Sequence, residues 1–364
     1  MAAESVPPDV PTAMSSPLWN SDMLPSVFEG AKKACVVPVS SDRKKFPLVR
    51  RDREGCDMQK RDLVSISNLS RDDVLEIFRI SRELKEGLAR GDRPRPLENR
   101  VLAMIFEKPS LRTRVTFEVG ILQLGGHAVT VTQDEIGVGK RESCHDVAKN
   151  LERWVDLIAI RTFGQDIVEG LAAHARIPVI NALTDSEHPC QALADLLTLT
   201  EKFNDIRGLT FAYVGDGNNI CNSLLLLCPL MGVNITVAGP RDYAPSREVV
   251  AQAERNAATT GARVLILDDP VKAVQNADAI YTDVWASMGQ ESECEERARV
   301  FQPYQVNAEL VRHAPKGVKI MHDLPARRGL EITDEIIDSK DSIVFDQAEN
   351  RLHVQKGVMV FLIG

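Results

Sequence analysis

The feature that most constrains the fold is a regular alternation of short apolar segments with helical segments, which runs from residue 70 to the C-terminus. Such segments form parallel strands, because the intervening helices carry the chain back across the sheet and cover both of its faces. Ahead of the first strand, Ser70 and the apolar spacing of residues 74–84 predict an N-capped helix. We therefore predict an α/β fold with doubly wound parallel sheets, whose strands are residues 101–106, 157–160, 179–180, 210–214, 234–238, 263–267, 279–282 and 319–321.

Length and composition exclude several classes of protein. A chain of 364 residues is long enough for two domains, each with its own core. The net charge of -8 argues against nucleic acid as a partner, because phosphate contacts need a basic surface. No apolar run approaches the roughly 20 residues that a membrane-spanning helix requires. The seven cysteines show no zinc-site spacing, so we expect reduced thiols and no metal.

Residues 1–59 form an extension rich in proline, serine and charge, without helical or strand periodicity. A basic block at residues 32–53 is compatible with a segment that targets a mitochondrion or plastid. Acidic residues precede this block, however, and transit peptides contain few acids near their start. The pattern therefore favours a disordered tail and a cytoplasmic location over a targeting segment.

A cluster of hydroxyls and cations follows the first predicted strand. Ser110 occupies a helix N-cap position, and Arg112, Thr113 and Arg114 fall in the first turn after it. The free backbone N–H groups of a helix N-terminus, together with arginines, form a ready anion site. An ordinary N-capped helix with solvated arginines explains the same cluster when it is taken alone. Motifs further along the chain favour the phosphate site.

Four motifs in a fixed order carry a family resemblance. They are Ser-x-Arg-Thr-Arg at 110–114, His-Pro-x-Gln at 188–191, Asp-x-x-x-Ser-Met-Gly at 283–289 and His-x-Leu-Pro at 322–325. In order and spacing they resemble the carbamoyltransferases, and the resemblance covers residues 60–364. The Ser-Met-Gly element is similar to the ornithine branch of that family rather than to the aspartate branch.

The resemblance implies how the chain is divided. Residues 60–196 are expected to bind carbamoyl phosphate, and residues 197–344 to bind an amino acid, ornithine in this branch. A helix at 189–203 bridges the two domains. A C-terminal helix at 345–364, with narrower bounds of about 350–362, packs back onto the first. The result is two doubly wound parallel-sheet domains joined by two interdomain helices. The resemblance also implies a homotrimer with shared active sites, no cofactor, and a place in arginine biosynthesis or the urea cycle.

The resemblance assigns the carbamoyl phosphate side of the site to the first, second and last motifs. Arg161 and His188 are expected to approach the carbonyl oxygen, whose charge grows in the transition state, and Gln191 to hold the amide. Arg112, Arg161, His188 and Asp323 are the expected catalytic residues, while Arg114 supports the loop. The full set of expected carbamoyl phosphate contacts is Ser110, Leu111, Arg112, Thr113, Arg161, His188, Gln191, Leu324 and Arg351.

The resemblance assigns the amino acid to Asn219, Asp283, Ser287 and Met288. A Gly-rich turn at residues 215–219 also suggests a dinucleotide fold, but the third glycine of that fingerprint is missing. Asp283 follows a predicted strand, where its carboxylate can orient a substrate ammonium; a helix N-cap is the structural alternative. The implied reaction is attack of the ornithine δ-amine on the carbamoyl carbon, which gives citrulline and phosphate.

The chain departs from the family pattern at Asp323, where the ornithine branch has cysteine. A second carboxylate beside Asp283 binds an ammonium well but also holds it protonated, unless repulsion raises one carboxyl pKa and provides a base. This departure leaves two alternatives: a carbamoyltransferase for putrescine, lysine or a modified ornithine, and a weakly catalytic binding paralogue. In the loop at residues 133–143, Gly137 aligns where the family often has glutamine or histidine, which removes one expected contact between subunits. Lys140 and Arg141 remain as basic candidates there.

Overall fold

The computed structural model describes residues 60–286 and 291–364, apart from the side chains of Asp134 and Glu291. The N-terminal extension, on which the targeting and tail predictions fall, lies outside the described residues. Ser287 and Met288, two of the expected amino acid contacts, also lie outside them. Within the described part of the chain, no helix is long and apolar enough to cross a membrane.

Two parallel sheets organise the described residues, each within its own α/β domain. The first has the strand order β2-β1-β3-β4 and the second the order β7-β6-β5-β8-β9. Every pair of neighbouring strands is parallel, which confirms the predicted architecture. The strands are β1 (Val101–Phe106), β2 (His127–Thr132), β3 (Leu157–Arg161), β4 (Val179–Leu183), β5 (Thr210–Val214), β6 (Asn234–Ala238), β7 (Val264–Leu267), β8 (Ala279–Thr282) and β9 (Lys319–His322).

Helices cover both faces of each sheet. In β1, Met104 packs in one buried cluster and Ile105 in another, as alternation along a strand between two covered faces requires. Tyr213 and Val214 of β5 divide in the same way. The helices are α1 (Arg71–Ala89), α2 (Leu111–Gln123), α3 (Gln133–Ile136), α4 (Cys144–Leu151), α5 (Gln165–His174), α6 (Pro189–Phe203), α7 (Asn219–Leu230), α8 (Arg247–Thr260), α9 (Pro270–Val274), α10 (Cys294–Phe301), α11 (Ala308–Val311), α12 (Asp334–Ile337) and α13 (Val344–Ile363).

Two elements differ from the sequence prediction. Strand β2 was not predicted, because it is a sheet edge whose side chains are half-buried or exposed, so it lacks the apolar run of a central strand. Helix α13 begins at Val344, in agreement with the predicted helix at 345–364 but ahead of the narrower bounds of about 350–362. Polar residues of α13, among them Asn350, Arg351 and Lys356, are buried, so the helix shows no one-sided apolar pattern from which its start can be read.

The N-terminal helix begins as predicted. The Oγ of Ser70 accepts a hydrogen bond from the Asp73 backbone N–H at 3.1 Å, and the Asp73 carboxylate accepts one from the Ser70 N–H at 2.9 Å. This capping box satisfies two backbone donors that a helix start otherwise leaves unpaired. Helix α1 then packs along α13, which also contacts α2 and α6.

Gly357 permits the close approach of α13 to α1. A Cβ built on Gly357 would lie 2.1 Å from the Ser81 Oγ and 2.8 Å from the Ile77 carbonyl oxygen. The Ile77 oxygen belongs to the backbone of α1 and cannot rotate away. Any side chain at this position therefore forces the two helices apart.

We expect Gly357→Ala to lower the free energy of unfolding by about 1–3 kcal/mol, the usual cost of overpacking. Gly87→Ala in α1 is the matched control, because its Cβ would meet atoms no closer than 3.6 Å. Alanine is the better helix former by up to about 1 kcal/mol, so this control should be neutral or stabilising. Chemical denaturation of both variants measures the difference. Equal stability of the two would show that the helices separate without cost.

Candidate active site

One cavity of about 1030 Å³ opens where the strands of both sheets end. Its walls come from the segments that follow β1, β3, β4, β5, β6, β8 and β9, the usual place for ligands in parallel α/β sheets. The cavity brings together the described site residues that the sequence predicted, with one exception, Gln191. Those that line it are Ser110, Leu111, Arg112, Thr113, Arg161, His188, Asn219, Asp283, Asp323, Leu324 and Arg351.

One half of the cavity is cationic. Ser110 is the N-cap of α2, and its Oγ accepts a hydrogen bond from the Thr113 N–H at 3.3 Å. Arg112, Arg161 and Arg351 line this half beside the helix N-terminus. Burial, followed by the charge of Arg351, lowers the pKa of Arg161 to about 10, so its guanidinium stays charged at neutral pH. Three guanidinium groups and a helix N-terminus together suit a multiply charged anion such as phosphate.

Arg351 fixes the relative positions of three helices at this half of the cavity. From α13 its guanidinium donates to the Thr113 Oγ1 of α2 at 2.9 Å and to the Gln191 Oε1 of α6. All three side chains are almost completely buried. The sequence prediction placed Arg351 near the start of the last helix, whereas it lies about two turns inside α13.

Gln191 does not line the cavity. Its Oε1 accepts from Arg351, and its Nε2 donates to the Asp195 Oδ1 at 2.8 Å, so both ends of its amide are engaged. Gln347 of α13 donates to the same Asp195 oxygen at 2.7 Å. Gln191 thus holds Arg351 in place from outside the cavity. Contact between the Gln191 amide and a substrate stays a prediction, and it requires Gln191 to give up its hydrogen bond to Arg351 or to Asp195.

His188 lies between strand β4 and helix α6, directly before the helix. It is the N-cap residue of α6, and Pro189 follows at the first helical position, as the sequence indicated. Burial, and then the charges of Arg351, Arg161 and Arg112, hold the pKa of His188 well below its ordinary value. Its imidazole is therefore neutral at pH 7 and can donate one hydrogen bond without adding charge. The Nδ1 atom is buried without a hydrogen-bond partner among the described residues.

The other half of the cavity is anionic. Asp283 follows β8, and no helix begins at residues 284–286, the described residues directly after it. Its carboxylate accepts hydrogen bonds from the Asn218 Nδ2 at 2.7 Å and the Val284 N–H at 2.6 Å. Asp323 follows β9, and one oxygen of each carboxylate and one His322 nitrogen all lie within 4.8 Å of one another. Burial, and then the negative charge of Asp323, raise the pKa of Asp283 well above its ordinary value. The predicted proximity of these two carboxylates is therefore present in the structure.

His322 orients the segment that carries Asp323. Its Nδ1 accepts the Leu324 N–H at 2.9 Å, and its Nε2 lies 3.1 Å from the Glu331 Oε1. Because Nδ1 must keep its lone pair for Leu324, the proton of His322 lies on Nε2. Asp283, His322 and Asp323 are the group among the described residues with the spacing of metal ligands, yet both ring nitrogens already have partners, which favours an ammonium over a metal.

Asn219 is the first residue of α7, one position after the N-cap Asn218. Its Nδ2 donates to the Thr184 carbonyl at 2.7 Å. This hydrogen bond joins the start of α7, in the second domain, to the segment after β4, in the first. Asn218 was not predicted as a site residue, although it both caps α7 and donates to Asp283. The sequence feature that could have identified Asn218 as a site residue is its position in the Gly-rich turn at residues 215–219.

An ion pair that the sequence did not indicate stiffens the anionic half. The Arg297 Nη1 lies 3.0 Å from the Asp216 Oδ2 and donates to the Trp285 carbonyl at 2.9 Å. These bonds join the turn after β5 to the segment after β8, on which Asp283 also lies. Arg297 belongs to a charged helical segment that, in one sequence, is indistinguishable from a solvated surface helix.

The fold and this cavity define a two-domain α/β transferase. The chain belongs to the aspartate/ornithine carbamoyltransferase family: residues 61–201 match its carbamoyl-P binding domain, and residues 207–362 match its Asp/Orn binding domain. The chain is 48% identical over 307 residues to a protein of Pyrococcus horikoshii named ornithine carbamoyltransferase, which covers 84% of this chain and 97% of that protein.

Solved structures agree with this assignment. The structure of ornithine carbamoyltransferase from Pyrococcus furiosus has a TM-score of 0.82 at 48% identity, covering 84% of this chain and 97% of that one. Ornithine transcarbamoylase from Giardia lamblia gives a TM-score of 0.76 at 33% identity, covering 84% and 99% of the two chains.

We expect Arg112→Ala to weaken binding of inorganic phosphate by about 10- to 100-fold, the effect of losing a charge-assisted hydrogen bond of roughly 1.5–3 kcal/mol. Arg114→Ala is the matched control. Arg114 is an exposed arginine of the same helix that pairs with Glu118 at 3.2 Å and does not line the cavity. Titration calorimetry of both variants measures the change. Equal losses of phosphate affinity in the two variants would indicate that Arg112 acts through its long-range positive charge and not through a contact with the phosphate.

Proposed function

We propose that this protein transfers the carbamoyl group of carbamoyl phosphate to the δ-amine of ornithine and releases citrulline and phosphate. The single observation that carries the proposal is the polarity of the cavity, with three arginines at a helix N-terminus facing two carboxylates. The names of the relatives support it. The Pyrococcus furiosus relative is named anabolic, which supports a biosynthetic direction, as in arginine biosynthesis.

In this proposal the phosphate group of the donor binds in the cationic half. The backbone at the start of α2, Arg112 and Arg351 hold the phosphate, and the Leu111 side chain, which is 75% exposed, contributes through its backbone. Arg161 and His188 then lie beside the carbamoyl carbonyl. A neutral histidine and a charged arginine donate to the oxygen as it gains negative charge, so they stabilise the transition state more than the ground state.

The amine binds in the anionic half, where Asp283 and Asp323 attract its ammonium form. An alkylammonium has a pKa of about 10.4, so its neutral form at pH 7 costs roughly 4–5 kcal/mol in water. The two carboxylates raise that cost and the positive charge across the cavity lowers it, so the amine needs a proton acceptor within the site. Attack by the neutral amine forms the C–N bond, and the bond from the carbamoyl carbon to the phosphate oxygen breaks.

Another amine is the second candidate for the acceptor, because the pair Asp283 and Asp323 recognises an ammonium whatever chain carries it. L-Lysine is one methylene longer than ornithine, which in a fitted pocket costs about 1–3 kcal/mol, or 10- to 200-fold. Putrescine keeps both amines of ornithine but lacks the α-carboxylate that Asn219 is expected to contact.

We expect kcat/KM for L-ornithine to exceed that for L-lysine and putrescine by at least about 10-fold. Steady-state assays with carbamoyl phosphate and each amine test this expectation. Turnover of putrescine equal to or better than that of ornithine would show that putrescine, and not ornithine, is the acceptor. Absence of turnover with every amine, despite binding of inorganic phosphate, would instead indicate a carbamoyl phosphate-binding paralogue.

We also propose a homotrimer, whose subunits contact each other through the α2 and β2 face of the first sheet. Leu122 of α2 and Val129 of the edge strand β2 are 66% and 52% exposed. Val115, one turn from Leu111 on α2, is 44% exposed. Exposed apolar side chains concentrated at a sheet edge are typical of a protein contact. The loop that holds Gly137, Lys140 and Arg141 follows β2 and is thus near enough to contribute to a neighbouring site.

We expect Leu122→Glu to dissociate the trimer, because it places a charge in a buried contact. The matched control is Leu75→Glu, which changes a 45% exposed leucine on α1, away from this face. Sedimentation velocity distinguishes the species. A trimer that persists in the Leu122→Glu variant would place the subunit contact elsewhere.

A further inference from the structure

Helix α7 of the second domain is hydrogen-bonded to the segment of the first domain that ends at His188. Three side chains on one face of α7 make these bonds: Asn219, Asn222 and Ser223. The Nδ2 atoms of the two asparagines donate to the carbonyls of Thr184 and Ser186, at 2.7 and 3.0 Å. The Oγ of Ser223 accepts the His188 N–H at 2.9 Å. The last of the three bonds therefore fixes a residue of the candidate active site from the other domain.

The direction of the Ser223 hydroxyl is set by Glu187. The Oε2 of Glu187 accepts the Ile66 N–H at 3.1 Å, and the Ser223 Oγ lies 3.1 Å from the same oxygen. Because this carboxylate oxygen is an acceptor, the single proton of Ser223 points to it. The lone pairs of Ser223 are then left for the His188 N–H. Ser223, Glu187 and His188 are all buried, so bulk water does not compete for these bonds.

The two ends of the His188 backbone are held by different domains. Its carbonyl accepts the N–H groups of Gln191 and Ala192, as the first acceptor of helix α6. Its N–H is held by Ser223 from the second domain. Together these bonds define the direction of the Cα–Cβ bond, and thus where the imidazole enters the cavity. The Nδ1 of the ring is buried without a hydrogen-bond partner among the described residues, so this atom does not help to place the ring.

We propose that Ser223 and Glu187 are positioning residues for His188, which align its imidazole with the carbonyl oxygen of the bound donor. This inference rests on the proposed carbamoyl transfer, in which His188 donates to that oxygen. Neither Ser223 nor Glu187 lines the cavity, so both act through His188 and not on a substrate. A displacement of about 1 Å can lower a rate by about 100-fold, so a bond to the backbone of His188 is enough to affect catalysis.

We expect Ser223→Ala to lower kcat by about 10- to 100-fold and to leave KM for L-ornithine and the affinity for inorganic phosphate unchanged. The reason is that His188 acts on charge that develops only in the transition state. Steady-state kinetics and titration calorimetry measure these quantities. A parallel loss of phosphate affinity would point to a general disturbance of the cavity and would overturn the proposal.

The matched control is Asn222→Ala. It removes a hydrogen bond between the same helix and the same segment, from a half-buried side chain whose partner is Ser186 and not His188. This variant should keep the kcat of the natural protein. Equal losses of kcat in Asn222→Ala and Ser223→Ala would show that the packing of the two domains matters, and not the position of His188.

Replacement of Glu187 tests the direction of the hydroxyl. Glu187→Ala should lower kcat as Ser223→Ala does, because the Ser223 proton loses its acceptor and the hydroxyl can turn away from the His188 N–H. Glu187→Gln keeps an amide oxygen for Ser223 and Ile66, so it should retain most of the rate. A loss in Glu187→Gln as large as that in Glu187→Ala would assign the effect to the negative charge and contradict the positioning role.

A double variant separates a positioning role from a purely structural one. Substitutions of residues that act as a unit are not additive. In a His188→Ala background, Ser223→Ala should therefore change kcat by less than about 2-fold, since the side chain that Ser223 positions is already absent. Retention of the full effect of Ser223→Ala in that background would overturn the proposal.

A spectroscopic measurement separates this inference from the proposed function. Carbamoyl phosphate is added to protein that contains isotope-labelled histidine, and the imidazole signals of His188 are followed by NMR and assigned with the His188→Ala variant. These signals should shift in the natural protein and in Asn222→Ala, and shift less in Ser223→Ala. Equal shifts in all three would overturn the positioning role even where ornithine is carbamoylated. Turnover of another amine, or of none, would revise the proposed function alone, because this measurement needs no acceptor.

Discussion

The buried guanidinium of Arg351 joins the parts of the protein on which the cavity depends. It extends from the last helix to Thr113 at the start of α2 and to Gln191 on α6, so one side chain holds three helices at their common meeting point. A buried cation is costly unless its donors are satisfied. Here amide and hydroxyl oxygens accept from Nη1 and Nη2 without neutralising the charge, while Nε has no partner among the described residues. The charge is thereby kept for a ligand. On another side of the same helix, Gly357 lets α13 pack closely against α1.

The cavity holds its positive and negative side chains in opposite halves. Its cationic half is preorganised by a helix N-terminus and three arginines, and its anionic half by carboxylates held at the ends of β8 and β9. Burial, and then the charges of the same arginines, hold the pKa of His188 low, so the field that attracts the anion also favours the neutral form of a neighbouring donor. Water would fill an empty cavity of this kind and weaken the field, whereas a donor molecule that displaces the water strengthens it.

Much of this could be predicted from the sequence, because parallel strands and their C-terminal loops leave clear local patterns. The central strands are apolar on both faces, and Ser110 and His188 occupy helix caps with known chemistry. The edge strand β2 was missed because its side chains are half-buried or exposed and its pairing with β1 joins residues distant in sequence. Gln191 was assigned to a substrate, although its partners, Arg351 and Asp195, already use both ends of its amide. Arg297 carries no local signal, since only the folded chain brings it to Asp216.

The position of Arg351 on α13 couples the packing of that helix to the anion site. The strands of the first sheet lie between Val101 and Leu183, so Arg351 comes to their anion site from an element distant in sequence. Helix α13 is held there by α1, α2 and α6. Local detachment of α13 would take Arg351 out of the anion site, so an anion bound there also opposes the loosening of this helix.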